Sequence, residues 1–414
     1  MCCSNRFLHG VAAALLAVLL SACGGGGGST PAPTPSPTPP VPVTSNNVIP
    51  VVVDAGPADA GYNVNRLYVD VKICRPASTE CQTIDHVLVD TGSIGLRLLS
   101  SVVKPALNLS RVTGSAGFPL LSCVQFVDNT FAWGPLVLAD IVLGGKTASS
   151  VPIQLIADPT VGNAPGACSI GGTAMTATSN LGANGILGLS LLKEDCGADC
   201  AAITHNGSYY TCSNAGCVSF VGAKASLAQQ LKNPVPLFAT DNNGIVIDLP
   251  AVGSSSATGL TGSLVFGIGT QSNNQPGTVL ALTTAATGYF TTVLGGQSMG
   301  NSFLDTGSNG FFFDSRSIPA CLGSSMGFYC PATLTTVSAT LVGANAARAS
   351  VSFSIGDAST MFGDASKTVF PNLAGPMGDA TSFDWGLPFF YGRRVLMGIE
   401  GQASSLGSGP YYAF

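Results

Sequence analysis

Short apolar runs closed by Gly, Ser, Thr, Asn or Asp carry the hydrophobic pattern of this 414-residue chain. Val87, Leu88 and Val89 form one such run, and Ile94, Leu96 and Leu98 follow it after a brief polar break. Far along the chain Phe303 and Leu304, then Phe311, Phe312 and Phe313, repeat the arrangement. Apolar runs this short, bounded by turn formers, predict buried strands rather than helices. A helical spacing of apolar positions occurs only near 223–231. The pattern predicts an all-β protein.

The polar break is the same in both places. Asp90, Thr91, Gly92 and Ser93 fill the first; Asp305, Thr306, Gly307 and Ser308 fill the second. In each case any residue and then a glycine (Gly95, Gly310) precede the next apolar run. One copy alone would read as an ordinary β-turn, since Asp, Gly and Ser are common turn formers. Two copies in one frame point to two matched carboxylates at strand ends, in loops where glycine permits close backbone approach. Such a pair suggests a shared site.

The N-terminus is set aside before any fold argument. Arg6, the apolar run 11–20 and small residues after it describe an export signal, too short and too early for a membrane span. Residues 1–22 are read as that signal. Leu20, Ser21, Ala22 and Cys23 resemble the bacterial lipobox, in which the cysteine thiol receives a diacylglycerol; ordinary cleavage with Cys23 incidental is the alternative. Gly24, rather than Asp, after the cysteine favours an outer-membrane destination in a diderm host. A lipid there anchors the protein without spanning the bilayer. Residues 23–47, rich in Gly and then Pro, form a linker that cannot bury a core. A folded body is expected from about Val48.

That body is longer than a single hydrophobic core usually serves, so two lobes are expected, 48–272 and 273–414. Charged residues make up 9% of the chain and the net charge is −5, with no basic cluster, which argues against a nucleic-acid partner. Of the 13 cysteines, Cys2, Cys3 and Cys23 precede the body. The even remainder in an exported protein predicts disulfides. Cys74 with Cys81 would close a hairpin before the first motif, Cys321 with Cys330 a loop after the second, and Cys123 with Cys168 a longer link. Cys196, Cys200, Cys212 and Cys217 are crowded, but their spacing is not a standard zinc pattern, so bridges are favoured and no metal is expected. Spacing leaves the pairings themselves open.

The two loops resemble the active-site loops of the pepsin-like, bilobal aspartic peptidases. The likeness extends to 184–190, similar to the apolar-apolar-Gly segment that follows the first loop in that family, to 262–267, similar to its inter-lobe strand, and to 385–390 near the end. The stretch 81–98, with Cys74 and the segment 384–393, also resembles a bacterial family of exported proteins of unassigned function. The resemblance implies a two-lobed pepsin-like acid protease architecture with closed, barrel-like β lobes and a central cleft. It implies Asp90 and Asp305 as the catalytic pair, Thr91 and Thr306 as cross-links between the loops, and no cofactor. Ser93 and Ser308 would donate to the outer carboxylate oxygens, and a Cβ at Gly92 or Gly307 would push the pair apart.

The chemistry follows from the carboxyls themselves. Two carboxylates a few ångströms apart cannot both ionise cheaply, so the pair keeps one proton over a range of acidic pH. The ionised member can deprotonate a water while the protonated one polarises a peptide carbonyl. Other hydrolytic routes are poorly served. Of three histidines, His9 lies in the leader, His86 reads as a structural residue on the strand before Asp90, and His205 as a solvated one.

Three departures from the resemblance stand out. No tyrosine lies between Tyr68 and Tyr209, so Phe126, Phe131 and Trp133 are the candidates for the aromatic of the flap, with burial in the core as the alternative. Residues 139–144 resemble the flap's return strand. Arg97 stands where that family usually has tryptophan, and Asp384 replaces an apolar residue before Trp385 and Gly386. Two functions remain: a lipid-anchored, cell-envelope endopeptidase acting on extended polypeptide, or an inactive module of the same fold that binds a peptide or cell-wall ligand. Retention of both Asp, both Thr and both Ser favours the first.

Overall fold

The structure, a computed structural model, describes residues 46–114, 117–253 and 256–414. The export signal, Cys23 and the linker up to residue 45 lie outside the described residues. The first strand, Val48–Val53, begins where the folded body was expected.

Its neighbours explain the two-lobed plan. Val48–Val53 pairs antiparallel with Leu260–Phe266, which pairs with Gly244–Leu249, which pairs in turn with Arg393–Gly398. Tyr411–Ala413 and Ala281–Thr283 extend the same sheet. Segments from the start, middle and end of the chain thus form one central sheet. On one side it continues into the strands of the first lobe, through Leu67–Cys74 and Cys81–Asp90. A separate seven-stranded sheet, including Gln297–Leu304, Thr335–Val342 and Arg348–Ile355, builds the second lobe. The fold is all-β and two-lobed, as expected. Among the described residues no helix is long and apolar enough to cross a membrane.

Alternation of apolar and polar residues decides which face of each strand is buried. In Leu67–Cys74, Val69, Val71 and Ile73 enter the core while Asp70 and Lys72 point out. The strands Ile94–Leu99 and Gly185–Leu189 are buried at every position, as expected of strands covered on both faces. One apolar cluster runs through both lobes, but its composition changes. Val, Ile and Leu fill it around the first motif, whereas Phe313, Phe383 and Trp385 stack around the second, with ring centroids 4.7 Å and 4.1 Å apart.

Among the described residues there are five disulfides, four of them closing short loops. Cys74–Cys81, Cys123–Cys168 and Cys321–Cys330 pair as expected, and the crowded four pair as Cys196–Cys200 and Cys212–Cys217. The helical spacing near 223–231 does not produce a helix. Residues 223–231 run as turns and irregular chain. Gln230 instead spends its amide on the carbonyls of Gly197 and Ala225 and accepts from the Gly197 amide. A single short apolar stretch rarely holds a helix alone, and here side-chain bonds to neighbouring loops outcompete it.

Candidate active site

Each DTGS loop is positioned by the same device. In the first lobe, Gly185–Leu189 lies between the two strands that flank the loop, parallel to Cys81–Asp90 and antiparallel to Ile94–Leu99. In the second, Asp384–Trp385 lies between Gln297–Leu304 and Phe311–Phe312, again parallel to one and antiparallel to the other. The register matches residue for residue: Leu88 pairs with Ile186 as Phe303 pairs with Asp384, and Val89 with Leu187 as Leu304 with Trp385. The inserted strand crosses so closely that a Cβ on Gly188 would lie 2.5 Å from the Ile94 amide nitrogen, and one on Gly386 2.1 Å from the Gly310 carbonyl. Only glycine fits at these crossings.

The two loops meet. Thr91 Oγ1 donates to the Leu304 carbonyl at 3.0 Å and accepts from the Thr306 amide at 3.0 Å, while Thr306 Oγ1 donates to the Val89 carbonyl at 2.7 Å. Both threonines are buried, so these bonds are shielded from water. The amide of Gly92 donates to Asp90 Oδ1 at 2.8 Å and also to Asp305 Oδ1 at 3.0 Å. One N–H therefore touches both carboxyls. A Cβ on Gly92 would fall 2.7 Å from the Asp305 carboxyl carbon, and one on Gly307 2.8 Å from that of Asp90.

The carboxyls differ in their partners. Asp90 accepts from the amides of Gly92 and Ser93, the latter at 3.1 Å, and from Ser93 Oγ at 2.5 Å. Asp305 accepts from the amides of Gly92 and Gly307 on Oδ1, and its Oδ2 lies 3.0 Å from Ser308 Oγ. Burial, then the neighbouring Asp90 and Asp384 carboxyls, push Asp305 well above the usual carboxylate range.

A third carboxyl completes the cluster. Asp384 is 1% exposed, and its Oδ2 lies 2.5 Å from Ser308 Oγ. Burial is the first cause that pushes it up to about 8, the Ser308 bond opposing and the Asp90 charge adding to the rise. Asp384 is thus a neutral acid at neutral pH, and its Oδ1 is buried without a hydrogen-bond partner.

A cavity of about 450 Å³ opens above these groups and takes walls from both lobes. Ile186, Leu88 and Met175 line one side, Phe312, Met377 and Asp384 the other, and Asp90 and Asp305 the floor. The hairpin of Leu120–Gln125 and Thr130–Leu143 hangs over it by its turn, where Phe126, Val127 and Asp128 reach the cavity. Residues 139–143 do lie on the hairpin's return strand. Of the three aromatic candidates, Phe126 faces the cavity. Phe131 and Trp133 are buried, Trp133 donating from Nε1 to the Gly162 carbonyl at 2.9 Å and packing on Tyr210 and Phe220. They take the core role left open as the alternative.

Arg97 shows how the support of this hairpin differs from the tryptophan arrangement. It is 2% exposed, its guanidinium donating to Gln154 at 2.6 Å, to Ser122 of the hairpin at 3.2 Å and to Asp195 at 3.4 Å. Tyr209 donates to the other Asp195 oxygen at 2.5 Å. Burial pulls Arg97 down and pushes Asp195 up, the mark of an ion pair held at a desolvation cost. His86 is half-buried beside Asp85 and Asp54, whose carboxylates outweigh burial and raise it; His205 is exposed. Neither lines the cavity. Sequence reasoning missed Arg66, Phe328 and Met377 on the walls, because they come from loops with no local pattern.

The chain belongs to a protein family of unknown function, DUF3443, which matches residues 43–414. No curated protein matches it. Among solved structures it is similar to an aspartic proteinase from Irpex lacteus, with 14% identity and a TM-score of 0.46, over 88% of this chain and 96% of that one.

Proposed function

We propose that this protein is an aspartic-type endopeptidase that hydrolyses extended polypeptide through a water activated between Asp90 and Asp305. The observation that carries the reading is the Gly92 amide bonded to both carboxyls, which brings their oxygens within reach of one water molecule. Asp90, with its three donors, acts as base and Asp305 as acid. The water oxygen bonds to the peptide carbon as its proton passes to Asp90, and the Asp305 proton passes to the carbonyl oxygen, giving a neutral gem-diol. In collapse, Asp90 returns its proton to the amide nitrogen, the C–N bond breaks, and a hydroxyl proton returns to Asp305. An acid and an amine leave, and the pair is restored. Thr91 and Thr306 hold the loops in register, and Phe126 covers the substrate and excludes water.

Export and attachment through a lipid on Cys23, to the outer membrane, complete the reading. Metabolic labelling with a radiolabelled fatty acid, lost in Cys23→Ser, tests that part. The catalytic part is tested by digesting a peptide library across pH with the wild type, Asp90→Asn and Asp305→Asn. Cleavage lost in both variants supports the pair; full cleavage in either removes it. The alternative, an inactive peptide- or cell-wall-binding module, predicts heat protection by a statine-type peptide with no cleavage by the wild type.

A further inference from the structure

Arg66 stands where the two lobes meet, and the backbone on both sides of it is fixed. Asn65, before it, is fully buried and holds a left-handed φ of 50°. Its amide donates to the Thr368 carbonyl at 2.7 Å. Its Nδ2 donates to the carbonyls of Asn309 at 2.7 Å and Phe370 at 2.8 Å, and its Oδ1 accepts from the Phe370 amide at 2.7 Å and the Tyr391 hydroxyl at 2.8 Å. Asn309 directly follows the second DTGS motif, so the segment is tied to that loop. Leu67, after Arg66, is fully buried and pairs with Val53 of the first strand. A residue held in this way keeps freedom only in its own side chain.

That side chain is not engaged inside the protein. Among the described residues the Arg66 guanidinium has no hydrogen bond or ion pair, and none of its nitrogens is buried. Arg97, by contrast, is 2% exposed and donates to three side chains. Arg66 is half-buried and lines the cavity, where it is the one basic residue among those described. A Cβ on Gly182 would lie 3.6 Å from its guanidinium carbon, which places the charge beside Leu181, Met175 and Ile186 on the first-lobe wall. Apart from Asp90, Asp305 and Asp384, the other charged group of the cavity is Asp128 on the overhanging turn, and its Oδ1 already accepts from the Thr130 amide at 2.9 Å and hydroxyl at 2.6 Å. A guanidinium presents its donors as a planar fork that fits a carboxylate with two parallel bonds. Set in a concave and mainly apolar cleft, such a pair is screened less than on an open surface.

Resting on the peptidase reading, we propose that Arg66 is a specificity-determining residue that selects polypeptides carrying an acidic side chain where the substrate passes the first-lobe wall of the cleft. Arg66 bonds to neither Asp90 nor Asp305, so the preference is separable from the proton chemistry of the floor.

The test places Glu or its isostere Gln in turn at each position around the cleaved bond of one peptide and compares kcat/KM at about pH 6, where a peptide glutamate is ionised. Wild type is expected to favour Glu over Gln by about tenfold at one position, as a charge-assisted pair in a partly dry site would give. Arg66→Gln should bring that ratio close to one, and Arg66→Glu should favour Lys at the same position. Arg66→Met serves the same comparison if the glutamine variant does not fold. A wild type without a Glu preference at any position overturns the inference and leaves the peptidase reading intact. So does a preference that survives in a cleaving Arg66→Gln or Arg66→Met enzyme, since a merely structural role would slow Glu and Gln peptides alike. If the wild type cleaves nothing, heat protection by statine-type peptides carrying Glu or Gln decides. A Glu advantage that vanishes in Arg66→Gln upholds the subsite without the catalysis, and equal or no protection overturns both.

Discussion

The two DTGS loops share a backbone and differ in what surrounds the carboxyl. Around the first, Asp90 receives three donors and Ile186 fills the neighbouring wall; around the second, Asp305 faces Asp384 across a shared serine. The strand after each loop differs as well. Arg97 pairs with Ile186 where Phe312 pairs with Asp384, so the register makes these two residues counterparts. Arg97 is buried, paired with Asp195 and donating to Ser122 of the overhanging hairpin, while Phe312 is half-buried and lines the cavity. Duplicated geometry places two like groups together, and unlike neighbours then give them unlike protonation. In the proposed reaction that difference lets one member act as base and the other as acid, a division that two identical environments could not specify.

The largest effect expected from breaking this comparison is chemical. Asp90→Asn and Asp305→Asn should each lower peptide cleavage by about 10³-fold. Steady-state rates on one peptide, with folding checked by circular dichroism, measure it.

The next effect tests what the lobes share. Gly386→Ala would force a Cβ to within 2.1 Å of the Gly310 carbonyl and 2.6 Å of that of Ser308. Both are backbone atoms that cannot step aside, so a loss of about 4 kcal/mol or more is expected. Gly188→Ala should cost a similar amount. Unequal denaturation midpoints would show that the two crossings are not equivalent supports.

Arg97 tests what they do not share. Arg97→Met leaves Asp195 buried with Tyr209 as its remaining side-chain partner and should destabilise by about 3 kcal/mol. Arg97→Met combined with Asp195→Asn should recover part of the loss. Phe312→Ala, at the counterpart position, should weaken binding of a statine-type peptide more than it lowers stability.

The effect that is smallest at each step is a slope, spread over several pH units. A carboxyl held protonated in the fold stabilises fully below its unfolded value, and that contribution is lost as pH rises through the folded value. For Asp384 the window runs from the ordinary carboxylate range up to about 8. Across it one such group lowers stability by about 1.4 kcal/mol per pH unit. Asp384→Asn should therefore flatten the fall in unfolding free energy between pH 5 and 8 and leave the protein more stable than wild type at the upper end. A slope unchanged by the substitution would show that Asp384 is not the group that holds the proton.

Much of this plan was legible in the chain. Short apolar runs with period-two alternation, as in Leu67–Cys74, announced strands, and the repeated Asp-Thr-Gly-Ser in one frame announced two loops of one kind. Spacing proposed three of the disulfides that form, but the pairing within the crowded four was open until the hairpin Tyr209–Cys212 and Phe220–Gly222 took shape. The stretch 223–231 misled because a helical spacing says nothing of the loops that compete for its hydrogen bonds. Phe126, Phe131 and Trp133 lie close together in sequence, and local pattern could not tell the turn that reaches over the cavity from the return strand that enters the core.

By itself the sequence determined the strand-rich class and the two carboxylate loops with their own glycines, because these depend on local backbone preference and on residues adjacent in the chain. Only the tertiary structure decided that Asp90 and Asp305 share one amide, that Arg97 and Asp195 pair, and that Asp384 sits as a neutral acid with a bare oxygen in the wall. Those outcomes depend on burial and on charges brought together from distant segments. A carboxyl's protonation follows the neighbours that the fold supplies and not those beside it in the chain.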